Sequence, residues 1–157
     1  MAMPPLVIES HNDLKDHVGK QIATTDWHTV TQDQIQQFAD ATGDHQWIHV
    51  DVERSKRESP YKNTIAHGFL TLSLLPQLMP QVLQIKSPVR MGINYGMNRV
   101  RFVSPVRAGS RIRAHFTLQS LKEVQDNGVE IVYAVTVECE GLEKPCVVAE
   151  WVVRSYR

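Results

Sequence analysis

Apolar residues recur with a period of two through the last third of the chain. Ile112, Ala114, Phe116 and Leu118 alternate with Arg111, Arg113, His115 and Thr117, the pattern of a strand with one buried face. Val129, Ile131, Tyr133, Val135, Val137 and Cys139 keep that period behind a turn signal at Asn127-Gly128, and 147–153 adds a final run. Segment 93–103 reads as another strand, with a phase change near Asn98-Arg99 that suggests a bulge. The first half follows a different period. Ile35, Phe38, Ala39 and Thr42 take the i, i+3, i+4, i+7 spacing of a helix from Thr31 to about Thr42. Thr31 and Gln34 form a capping box at its start, Val30 staples onto Ile35, and Gly43 supplies a left-handed stop.

A second helical stretch begins near Gly68 and is apolar almost all round through Leu83, as a helix buried on every side would be. Pro76 and Pro80 should kink or break it, because each lacks an N–H and clashes with the carbonyl four residues back. Helices first and a meander of long strands later predict an α+β fold. Its antiparallel sheet would wrap around the 68–83 helix, the stretch hydrophobic enough to cover one face.

Composition narrows the class further. At 157 residues the chain fits one domain, with residues 1–17 as an N-terminal extension. Lys+Arg and Asp+Glu both total 17, so no basic excess points to nucleic acid and no general electrostatic attraction draws it to a membrane. The start, Met1 to Ile8, has neither the basic region nor the apolar run of a secretory signal, and no stretch approaches the roughly 20 apolar residues that span a bilayer. The expected compartment is the cytoplasm. Cys139 and Cys146 flank an expected hairpin loop over 141–144 and read as separate buried thiols in a reducing cytosol.

The candidate chemistry follows the first helix, in Gly43-Asp44-His45-Gln46-Trp47-Ile48-His49-Val50-Asp51. A carboxylate and an imidazole five residues apart beyond a helix stop can converge on one water, and histidine carries protons near neutral pH. Spacing alone fits equally well an Asp44 that caps the loop and a satisfied surface His49. In Ile65-Ala66-His67-Gly68-Phe69, a glycine at a helix start lets a carbonyl approach unpaired backbone N–H groups, and it also simply admits the chain into the helix.

Taken together, Phe38-Ala39-Asp40-Ala41-Thr42-Gly43-Asp44, His49 with Asp51, and Ile65-Ala66-His67-Gly68-Phe69 resemble the hydratase signature of the MaoC-like family of hot-dog proteins. With His45-Gln46-Trp47-Ile48-His49 and the segment Ile93 to Phe102, the similarity is to its nodulation-protein-N-like branch and covers roughly residues 18–154. The resemblance implies an (R)-specific enoyl-CoA hydratase acting on trans-2-enoyl-CoA, with acyl-CoA as substrate, a homodimeric assembly, and no metal or redox cofactor. Asp44 and His49 match the catalytic pair and Gly68 the oxyanion-hole glycine. Trp47, His67, Phe69, Asn94, Tyr95 and Gly96 are implied to line the substrate. Gln46-Trp47 replaces the usual Asn-Pro, and Pro76 stands where a helix serine is common.

Rival readings are a thioesterase or a non-catalytic acyl-CoA-binding domain on the same fold. A zinc hydrolase built on the His45/His49 pair is a further rival, but it lacks a third spaced ligand. Arg99, Arg101, Arg111 and Arg113 read as the solvent face of strands, with coenzyme A phosphates as the alternative. His45 and His67 are candidate supports for the catalytic pair.

Overall fold

The computed structural model describes residues 2–157. Strands β5 (Met91–Phe102), β6 (Arg111–Val124), β7 (Gly128–Cys139) and β8 (Val147–Tyr156) form the body of one antiparallel sheet. With β2 (Gln21–Thr24) the order is β2-β6-β7-β8-β5, and β3 (His28–Thr29) also pairs with β6. The alternation predicted for β6 is the alternation observed: Ile112, Ala114, Phe116 and Leu118 are fully buried. Burying Ile112, Phe116 and Leu118 stabilises by roughly 1.5–3 kcal/mol each. A one-residue slip would expose all three, so the core fixes the register.

The β6–β7 hairpin turns one residue earlier than expected. Asp126 and Asn127 both have φ of 59°, and the Gly128 N–H closes the turn on the Gln125 carbonyl at 3.2 Å. Gly128 is already the first residue of β7. It is glycine for a packing reason, since a Cβ there would meet the Tyr156 ring at 2.7 Å. The bulge expected near Asn98-Arg99 is present as a register shift between Met97 and Arg99, and a second shift lies between Asn94 and Gly96.

Helix α1 (Gln32–Thr42) buries Ile35 and Ala39 and ends on Gly43, whose φ of 83° lets its N–H bond the Ala39 carbonyl at 2.8 Å. Half of the expected capping box forms. Thr31 Oγ1 accepts from the Gln34 N–H at 3.1 Å, but the Gln34 side chain turns away and accepts from His28 at 3.1 Å. Two short helices follow, α2 (Trp47–Val50) and α3 (Val52–Glu58), with the Asp51 side chain capping α3.

The apolar stretch is not one long helix buried on every side. It divides into α4 (Gly68–Ser73), α5 (Leu75–Leu78) and a 3-10 turn over 79–81, so the breaks fall next to Pro76 and Pro80. Leu70, Leu74, Leu75 and Leu78 face the sheet core, but Phe69 is 67% exposed. Beyond it β4 (Leu83–Ile85) pairs in parallel with β1 (Leu6–Ile8), and a 3-10 helix over His11–His17 buries His11 and Leu14. Residues 6–17 are thereby tied to the body of the molecule.

Cys139 and Cys146 are free and buried, as expected, and burial pushes the Cys146 thiol up to about 12. Arg111 pairs with Glu140, and Arg113 with Glu138 at 2.8 Å, so those two arginines belong to ion pairs of the sheet. Among the described residues no helix is long and apolar enough to cross a membrane.

Candidate active site

The site forms where three backbone segments are stitched together ahead of α4. Gln32, on α1, donates from its side chain to the His49 carbonyl at 2.8 Å, and its Oε1 accepts from the Thr64 hydroxyl. The Ile65 N–H donates to the Ile48 carbonyl at 3.0 Å, and Ala66 N–H to Val106 at 2.7 Å. This network holds α2 against segment 64–66 and presents the His49 ring to a cavity of about 300 Å³.

His49 is buried, not a surface histidine. Its Nδ1 lies 2.7 Å from the Ile65 carbonyl, which can only accept, so Nδ1 carries the hydrogen and neutral His49 keeps a bare lone pair on Nε2. Burial holds its pKa below the ordinary histidine value. The Ile65 bond and the Asp44 charge oppose that shift, and His67 adds to it. A neutral imidazole with one free nitrogen is the form a general base requires.

Gly68 lines the same cavity as His49. As the first residue of α4 its N–H has no carbonyl one turn back to bond. The Phe102 ring lies 2.9–3.0 Å from where a Cβ would stand, so no larger residue fits without moving that ring. Asp44 is not among the walls of that cavity, and its side chain is 53% exposed. Its Oδ1 accepts from the Gln46 N–H at 3.3 Å, turning the loop, and its Oδ2 lies 3.9 Å from His67 Nε2.

His67 is 3% exposed and stacks on His49 with ring centroids 3.8 Å apart. Its Nε2 donates to the Asp44 carbonyl at 2.9 Å. Donor atoms of Asp44, His49 and His67 all lie within 4.8 Å of one another. Ligands of one zinc ion at about 2.0–2.2 Å stand closer together than that span, about 3.5 Å apart.

The other expected contacts divide. Asn94 and Gly96 line a separate cavity of about 260 Å³ between α4–α5 and β5, shared with Ser73 and Pro76. Tyr95 instead carries the Arg154 guanidinium 3.6 Å above its ring. Trp47 is covered by Arg54 at 4.3 Å, and Phe69 meets Phe102 edge-on at 5.7 Å. His45 turns back to Asp40 at 2.9 Å on the surface, which raises its pKa. The sequence reading missed Tyr61, Thr71, Phe102 and Cys146 as walls of the His49 cavity. The strand period could have placed Phe102 and Cys146 near the sheet end, but nothing local signals Tyr61.

An antiparallel sheet packed on a broken apolar helix defines a hot-dog fold, and the sequence matches place the chain in its dehydratase class. The chain belongs to the MaoC-like family: the model described as MaoC like domain matches residues 13–139. It is 49% identical over 146 residues to 3-hydroxyacyl-thioester dehydratase Z of Mycobacterium tuberculosis, covering 93% of this chain and 95% of that one. It is 45% identical over 143 residues to Nodulation protein N of Rhizobium meliloti, covering 91% and 89%. The (R)-hydratase from A. caviae involved in PHA biosynthesis shares the fold, with a TM-score of 0.64 at 21% identity over 85% of this chain and 95% of that one.

Proposed function

We propose that the chain is a cytoplasmic (R)-specific enoyl-CoA hydratase, reversibly converting trans-2-enoyl-CoA and water to (3R)-hydroxyacyl-CoA. The observation that carries this reading is the free Nε2 of His49, held beside Asp44 at a cavity it shares with the Gly68 N–H. Asp44 and Nε2 hold one water. Nε2 takes a proton as the water oxygen bonds C3, and the C2–C3 electron pair moves onto the thioester oxygen as an enolate. The Gly68 N–H stabilises that oxygen, and the proton on Nε2 then returns to C2. The thioester itself acidifies C2, so the chemistry calls for no metal or redox cofactor. The dehydratase name of the mycobacterial relative supports the reaction class.

A second copy completes the assembly in this reading. Strand β5 is an open edge, and Met91, Ile93, Tyr95 and Phe102 on it are exposed together with Phe69. Open edges of this length and apolarity need covering. Sedimentation at micromolar concentration should give a dimer, and a monomer would count against it.

The deciding assay follows loss of the enoyl-thioester absorbance of crotonyl-CoA. The parent should be active, with longer enoyl-CoAs as further substrates, and Asp44→Asn and His49→Ala should each lose about 10²–10⁴-fold. Release of free thiol would instead indicate a thioesterase. Binding without turnover, surviving Asp44→Asn, would indicate a non-catalytic domain.

A further inference from the structure

Asp44, in the loop after α1, and His49, on α2, stand five residues apart, and no hydrogen bond joins their side chains among the described residues. What each of them touches is His67. Its Nε2 donates to the Asp44 carbonyl at 2.9 Å, its ring face lies 3.8 Å from the His49 ring at 24°, and Phe38 on α1 packs on it at 4.9 Å. The bond to a carbonyl fixes the hydrogen on Nε2, because a carbonyl cannot donate. Nδ1 is then buried with a lone pair and no partner. The two stacked rings are therefore not equivalent. His49 lines the cavity and keeps Nε2 without a protein partner, whereas His67 is not among the walls of that cavity.

We propose that His67 is a positioning residue: a buried ring that ties the Asp44 backbone to the His49 ring and so fixes where the two stand relative to each other. This rests on the hydratase reading of the same site. A buried acceptor without a partner costs stability, and the arrangement makes sense where geometry at the site is worth that cost. His67 touches no reacting atom in this scheme. Its contribution is the placement of groups that do, and a misplacement of about 1 Å in such groups can cost on the order of 10²-fold in rate.

Two substitutions separate the bond from the stack. In His67→Gln the amide nitrogen can still reach the Asp44 carbonyl, whereas His67→Phe keeps an aromatic face on His49 and loses the bond. Kinetics on crotonyl-CoA and thermal melts should be measured for both. The expected result is that His67→Phe lowers kcat by about 10²-fold with KM within about threefold, and that His67→Gln recovers at least about tenfold of the loss. Hydrogen exchange of the 43–46 amides gives a readout independent of turnover, and it should be faster in His67→Phe than in His67→Gln. Loss carried by KM, kcat in His67→Gln no higher than in His67→Phe, or unchanged exchange would overturn the proposal. If the parent itself does not hydrate crotonyl-CoA or longer enoyl-CoAs, the hydratase reading fails. The exchange experiment then decides the tie between Asp44 and His49 by itself.

Discussion

Of the three buried histidines among the described residues, His11 and His67 leave Nδ1 without a partner, yet they sit in unlike surroundings. His11, in the 3-10 helix near the start, meets the Ser155 hydroxyl through Nε2 at 2.7 Å. His67 meets a backbone carbonyl through Nε2 and lies flat against a second histidine that lines a cavity. A hydroxyl can donate or accept, so the His11 ring is free to choose its tautomer, whereas the carbonyl fixes that of His67. Burial and a missing partner therefore do not mark a site by themselves. The neighbouring cavity and the second titratable ring do, and on that ground His11 is read as an anchor that fastens the first segment to β8.

Replacing the anchor tests the contrast most severely. His11→Ala empties a fully buried position and strands Ser155, so it should lower unfolding stability by about 2–4 kcal/mol in a urea titration. Hydration activity per folded molecule should stay within twofold, and a selective loss of kcat would erase the distinction between the two histidines. Ser155→Ala removes one hydrogen bond but leaves the imidazole in place. A cost of about 1 kcal/mol is expected in the same titration.

The smallest effect is the slope of stability with pH between about 7 and 5. Burial, with the Arg157 charge added, holds His11 below its ordinary value against the opposing Glu123, and burial does the same to His49. The unfolded chain then binds protons near pH 6.5 that the folded chain refuses. The stabilisation is complete above that pH and is lost as the pH falls toward the folded values. Melting temperature should drop on acidification, and His11→Gln should flatten the slope. A parent protein that melts at the same temperature across that range would contradict the buried, neutral state of His11.

The sheet was legible in the sequence because its signal is local. Ile112 to Leu118 and Val129 to Cys139 carry their burial in their alternation, and Gly43 ends α1 where a left-handed residue is needed. The hairpin was misplaced by one residue because glycine at 128 answers to the Tyr156 ring and not to the turn. Pro76 and Pro80 marked the breaks in the apolar stretch, but its composition did not reveal that Phe69 faces outward. Of the site, Asp44, His49 and Gly68 were named through the motifs they share with a family. The stack of His67 on His49 and the pairing of His11 with Ser155 depend on contacts between distant segments, to which no local period corresponds.

That last pairing has a consequence for how the chain reaches its native state during synthesis. His11 and Ser155 are 144 positions apart, and β1 pairs with β4 across more than 70 residues. His11 can reach Ser155 only after β8 has been made. Until then the His11 side chain and the face it covers stay open to water and to other chains. Contacts this distant are slow to form. The His11 segment, made long before its partner, is thus among the last parts of this fold to come to rest.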